Sequence, residues 1–273
     1  MSWPTRRIVS LGLIASGCGL AIGALARPGP ALPEGLTEAG RAHVAKVRSG
    51  NFLELSDGRV ATLAAIQAPK NRSENIPKAW PLASEAEQAL AELVLGKQVE
   101  LWLTPDPKDR WGRLFAHMVV EQDGEPRWVQ GELLMKGFAR VATQPRTAVG
   151  ARKMLDLERR ARANRRGIWS NPFYRIRNPG ETVRDFHSAQ IVEGRVVDAA
   201  KVKGVHYLNF GENWRKDFTF RVQSGEAAKR FRKAGVRLTE LTGRRVRGRG
   251  WIFSSGGPMI DLTHPEQLEI FEV

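Results

Sequence analysis

The residues able to do chemistry in this chain are mostly cations. Five histidines, His43, His117, His187, His206 and His264, show no HxH or HxxxH spacing. No pair is therefore set to grip a metal from one strand or helix, and each reads as a structural or surface histidine. The single cysteine, Cys18, excludes an internal disulfide framework and any Cys-cluster metal site. Gly96-Lys97 lacks a P-loop frame. What is left is a hexapeptide, Asp109-Arg110-Trp111-Gly112-Arg113-Leu114, and a run of cations at Arg152, Lys153, Arg159, Arg160, Arg162, Arg165 and Arg166. A guanidinium presents a planar fork of donors that matches phosphate oxygens. The chemistry on offer is recognition of phosphates and other polyanions.

The whole-chain charge agrees. The 273 residues carry a net charge of +14. Residues 41–178 hold 24 Lys and Arg against 15 Asp and Glu, and residues 186–273 hold 15 against 10. The surplus is spread over both parts rather than held in a tail, which suits nucleic acid, phosphate or an anionic membrane surface as partner. The chain is also longer than a usual single domain, so two domains are expected.

The elements that must position these residues can be read locally. Val99-Glu100-Leu101-Trp102-Leu103 alternates before the hexapeptide and Leu114–Val120 follows it, so the hexapeptide is predicted to turn a hairpin. Pro81-Leu82-Ala83-Ser84-Glu85-Ala86 opens a helix running to about Leu95. His43–Val47, Phe52–Leu55 and Val60–Ile66 read as strands. The cationic run lies on a helix from about Gly150 to Arg166, with Met154, Leu155 and Leu157 as its apolar contacts.

Helix, strand, Asp-Arg-Trp-Gly-Arg hairpin, Gly131-Glu132-Leu133-Leu134-Met135-Lys136-Gly137-Phe138-Ala139-Arg140-Val141, basic helix and Gly167-Ile168-Trp169-Ser170 follow in that order. This order resembles the staphylococcal nuclease family over roughly residues 41–174. The resemblance implies a mainly β fold with packed helices, built on an OB-type barrel. It also implies phosphodiester hydrolysis with a carboxylate-held calcium ion, a glutamate base and two phosphate-clamping arginines. Carried over position by position, that set is mostly gone. Asn51 stands for one metal aspartate and Gln67 for another. Thr62 stands for the first arginine and Lys70 for the glutamate. Only Arg113 survives. Glu54 and Arg59 sit an odd number of residues away along their strands, hence on the opposite face. Asp57 is a single carboxylate where calcium wants several. The expected outcome is a domain that has lost the family reaction, with no cofactor. The alternative is an active nuclease outside the cytoplasm whose metal site is rebuilt elsewhere.

Arg113 carries two readings: a retained phosphate ligand, or a brace for its own hairpin. Trp111 sits where the resemblance places a ring beside the nucleotide, but reads rather as a turn tryptophan capping the core. The family's later pocket tyrosines match Thr143 and Pro145. The expected phosphate or nucleic-acid contacts are Arg110, Arg113, Arg159, Arg162 and Arg166.

Residues 175–186, with Arg177-Asn178-Pro179-Gly180, read as a linker. Residues 187–273 then show three strands (Gln190–Asp198, His206–Gly211, Asp217–Val222), a helix (Gly225–Ala234), two strands (Gly243–Phe253, Pro258–Leu262) and a short last one (Gln267–Glu272). Three strands, a helix and two strands is the order of a small OB-like barrel. Phe218 with Phe220, and Trp251 with Phe253, read as core faces. Trp214 among polar neighbours reads as a base-stacking ring.

At the amino terminus, Arg6-Arg7 precede an uncharged run from Ile8 to Ala26, the layout of an export signal over residues 1–26. Three readings stay open. Cleavage after Ala24-Leu25-Ala26 is one, and lipidation at Cys18 is another. The third is an uncleaved anchor, for which the run is just long enough. Each places the remainder outside the cytoplasm, in the periplasm, on the envelope or secreted, with 27–40 as a linker and a membrane as partner where the segment is kept.

Overall fold

The computed structural model describes residues 31–213 and 215–271. Cys18, Trp214 and the expected export segment lie outside the described residues. Among the described residues no helix is long and apolar enough to cross a membrane.

The protein is mainly β. Strand β1 (Thr37–Ser49) starts inside the Pro- and Gly-rich stretch and turns Ala42, Val44 and Val47 inward. In β2 (Phe52–Leu55) and β3 (Val60–Leu63), Leu53, Leu55, Ala61 and Leu63 point to the core at period two. The short β4 (Ile66–Gln67) and helix α1 (Ala83–Val94) follow. The predicted hairpin is β5 (Gln98–Lys108) and β6 (Leu114–Gln122), extended by β7 (Glu125–Trp128). Strand β3 pairs in parallel with β6, which closes β1, β2, β3, β5 and β6 into a five-stranded barrel.

Helices α2 (Val129–Lys136) and α3 (Ala151–Ala163) pack beside the barrel, and β8 (Arg140–Val141) pairs antiparallel with β4. Two of the sequence motifs meet at one spot. Gly137 ends α2 in the left-handed region, and Gly167, also at positive φ, lies against it. A Cβ on either would collide with a backbone carbonyl of the other segment, so both positions need glycine. Ile168 N donates to Gly137 O at 2.8 Å across this contact.

A second core lies in the carboxy-terminal part. Seven strands share one sheet there: β9 (Ser188–Arg195), β10 (Asp198–Val202), β11 (Val205–Asn209), β12 (Thr219–Val222), β13 (Arg245–Ser254), β14 (Pro258–Asp261) and β15 (Leu268–Ile270), with helix α4 (Glu226–Lys233) after β12. The single strand expected over 190–198 is two. Val196 N donates to Arg244 O and Val197 N to Asn209 O, so successive amides serve different neighbours and the chain changes partner there. Phe218 and Phe220 are buried, as expected, and meet edge to face at 4.8 Å. Trp251 is not core: it is 53% exposed while its neighbour Ile252 is fully buried. Trp251 and Phe253 do share a face of β13, but it is the outer one.

The expected linker is tied down. Arg177 exchanges backbone hydrogen bonds with β9 through Ile191 O and Glu193 N, both 2.9 Å, and its side chain binds Asp185.

Candidate polyanion-binding site

The hairpin turn is built around Asp109. Its carboxylate accepts from the amides of Trp111 and Arg113 at 2.9 and 3.0 Å and from Arg113 Nε at 2.6 Å. Burial pushes this carboxyl up, but the Arg113 guanidinium and those amides outweigh it and hold it below the ordinary range. Arg113 thus braces its own turn, the second of its two readings. Trp111 does not cap the core. It stands 65% exposed, with the Arg110 guanidinium 3.9 Å and the Arg113 guanidinium 4.7 Å from its ring centre. A turn tryptophan lacks a strand's inward face, and stacking on two cations holds it out instead.

The four altered family positions lie on or beside β2, β3 and β4. Asn51 spends its amide on Ile66 O at 3.2 Å. Thr62 is half-buried on β3, opposite Phe52. Gln67 Oε1 accepts two bonds from Arg140, from Nε at 3.0 Å and Nη2 at 2.7 Å. Lys70 Nζ sits 5.4 Å from the Trp80 ring centre. The possible substitutes face elsewhere: Glu54 pairs with Arg48, and Asp57 with Arg59. Among the described residues no group of three or more His, Cys, Asp or Glu is placed to hold a metal. Two amides, a hydroxyl and an ammonium do not suit hard Ca²⁺, which needs several anionic oxygens. The donor set does not fit the ion.

Arg140 takes over the centre of this site. Register opposite Gln67 in the β4–β8 pair puts it there. It is 6% exposed, and burial pushes its pKa down to about 10. Its Nη2 also donates to Ala189 O of the second sheet at 2.8 Å. Thr143, at the first pocket-tyrosine position, is likewise taken from the second sheet, by His264 Nε2 at 2.8 Å. Burial, with Arg230 nearby, pushes that imidazole down to about 4, so it is neutral at physiological pH.

Helix α3 shows the same division of labour. Glu158 is buried and accepts from Val141 N, from Arg162, and from both terminal nitrogens of Arg249 on β13. Arg249 also reaches Glu269 at 2.9 Å, and Arg247 links Glu269 to Glu193. Arg162 therefore turns inward and is not the surface contact expected of it. Arg159 pairs with Asp156 and lies 3.8 Å from Glu269. Arg166 donates to Met135 O. Position on a helix marks a residue as cationic but not which way it turns, and here a buried glutamate one turn away attracts Arg162. Arg152, Arg159, Arg160, Arg165 and Arg166 all remain exposed.

Residues 60–171 match the family model described as staphylococcal nuclease homologue. The chain carries a staphylococcal nuclease-like domain. The nuclease-like barrel includes β1 and β2, which precede the matched residues. A search of curated proteins finds no match to the chain.

Sequence reading missed Trp80, Trp251, Arg140, Arg184 and the pair Glu158–Arg249. The available signal was Gln67 itself: a polar residue kept where a carboxylate is lost needs a partner, but many cations lie between it and Arg140 and nothing local singles Arg140 out.

Proposed function

We propose that this chain is an exported, non-catalytic relative of the nucleases that binds nucleic acid, or another polyanion of its kind, without sequence preference. One observation carries the reading. The family's metal and base positions hold Asn51, Gln67 and Lys70, and the Arg140 guanidinium sits on Gln67 where a cation-binding carboxylate would be. Lys70 cannot accept a proton from water as a base must, so binding without turnover is what these residues can do. The net charge of +14 supplies the long-range attraction. In this reading 41–174 is the nuclease-like domain, 175–186 the linker and 187–273 an OB-like domain, and the two separate hydrophobic cores support the division.

Labelled single-stranded DNA is expected to bind, with affinity falling at least about tenfold between 50 and 200 mM salt as phosphate counterions compete. Anisotropy measures it directly. Affinity that ignores salt, or no binding at 50 mM, would overturn the reading.

Export rests on Arg6-Arg7 followed by the uncharged run Ile8–Ala26. A reporter fused after residue 40 is expected to be active only outside the cytoplasm. Labelling by a fatty acid that disappears in Cys18→Ser would select lipidation among the three readings of that segment. Cytoplasmic reporter activity would refute export altogether.

A further inference from the structure

We propose that the cleft between the barrel and the second sheet is a nucleotide site, which takes a base against Trp80 and Trp251 and its phosphate on Lys70 and Arg184. This rests on the nucleic-acid reading above and gives it a place. The cleft has a volume of about 680 Å³, within the range of sites for small organic ligands. Its walls come from the β4 region, the loop before α1, the 3-10 turns after α3, and β9 and β13.

Two kinds of group line it. The first is aromatic. Trp251 stands out from β13, 53% exposed, and lines the cleft. Trp80, from the loop before α1, is fixed by Phe173 at 5.6 Å and Tyr174 at 6.5 Å between ring centres. The second kind is cationic. Lys70 lies 5.4 Å and Arg140 5.9 Å from the Trp80 ring centre, and exposed Arg184 joins them on the lining. Among the described residues neither Lys70 nor Arg184 has an ion pair. The one carboxylate on the wall, Asp185, is already held by Arg177 at 2.9 Å. An excess of positive charge beside exposed rings selects an anion with a flat π-face, and a nucleotide unit has both parts. A duplex keeps its base faces stacked inside and has no free face to offer, so the source is a single strand or a free mononucleotide.

Full-length protein is titrated with labelled oligothymidine, with unlabelled thymidine monophosphate as competitor, and with polyphosphate as an anion lacking bases. Trp251→Ala is expected to weaken oligothymidine by about tenfold or more, the effect of losing one base–aromatic stack, and to leave polyphosphate binding unchanged. Arg184→Glu is expected to weaken both. Competition by the monophosphate at concentrations that displace the strand would make the free nucleotide the ligand. Failure of the monophosphate to compete would make it the strand, and either result upholds the site. Photo-crosslinking of a halogenated oligouridine gives a readout in the unaltered protein. A crosslink on Trp80 or Trp251 is expected, and one confined to Trp111 would overturn the proposal. Unchanged oligothymidine affinity in Trp251→Ala, with an unchanged melting temperature and a parent that binds, would also overturn it. A parent that does not bind at all would overturn the nucleic-acid reading instead.

Discussion

The purified protein is expected to leave DNA and RNA intact in the presence of calcium, and restoring the four family residues is expected not to suffice. Loss of a general base alone is worth ~10²–10⁴ in rate, and loss of a phosphate-clamping arginine ~10³–10⁵ in related phosphoryl chemistry. Such groups act as a unit, so single reversions recover little. The obvious variant combines Asn51→Asp, Thr62→Arg, Gln67→Asp and Lys70→Glu. The structure adds an obstacle to it. Arg140 places a guanidinium 2.7 Å from the position-67 side chain, and an aspartate there would pair with that guanidinium and lose the charge a divalent ion needs. The informative variant therefore carries Arg140→Ala as a fifth change. Calcium-dependent release of fragments from labelled DNA, compared with a chelator control, is expected only with all five. Calcium-dependent cleavage by the unmodified protein, abolished by Arg113→Ala, would refute the non-catalytic reading.

Arg249→Met is expected to cost about 3–5 kcal/mol, the usual penalty for removing one partner of a buried ion pair. Arg249 is 4% and Glu158 1% exposed, so truncation leaves carboxylates of Glu158 and Glu269 facing each other with less cation between them. The pH dependence separates this cause from lost packing. Burial pushes the Glu158 carboxyl up, but the facing Arg249, with the Val141 amide and Arg162, outweighs it and holds it below its ordinary 4.5. With the folded value depressed, the unfolded chain binds more protons in acid. The stability from this group is then present above 4.5 and lost as pH falls through the folded value. In Arg249→Met the Val141 amide and Arg162 still face the carboxylate, but the main contact that lowers it is gone, so the folded value rises and less stability is lost in acid than in the parent. Urea unfolding of parent and variant, at neutral pH and on the acid side, should show the gap between them narrowing in acid. A gap that does not change with pH would mean the ion pair is not its source. Adding Glu158→Gln to the variant should return part of the loss, because the uncompensated charge is then gone.

These two arginines tie the nuclease-like domain to the second sheet. Arg140 and Arg249 each run from the nuclease-like barrel region to the second sheet, one through Ala189 O and the other through Glu158 and Val141 O. The contact surface they hold together is polar and charged. Its members must be satisfied together, since a half-paired buried network is worse than none.

The sequence by itself determined the strands, the hairpin and the helices, because each is written in short-range terms: period-two strands, an Asp-Arg-Trp-Gly-Arg turn, and cationic runs with apolar contacts. The barrel was what the family resemblance implied, and its closing β3–β6 pair joins residues far apart in the chain, Ala61 to Leu114. The sequence also determined that Asn51, Thr62, Gln67 and Lys70 carry no anionic oxygen, since residue identity alone decides whether an oxygen carries charge. Only the tertiary structure decided what those side chains meet. Arg140 meets Gln67 across 73 residues and Arg249 meets Glu158 across 91, and no local pattern encodes a partner so distant. The same limit explains the tryptophans. Alternation along β13 put Trp251 and Phe253 on one face but could not say which face is inside. That depends on where Ile252 finds the second core, and the answer left Trp251 at the mouth of the cleft.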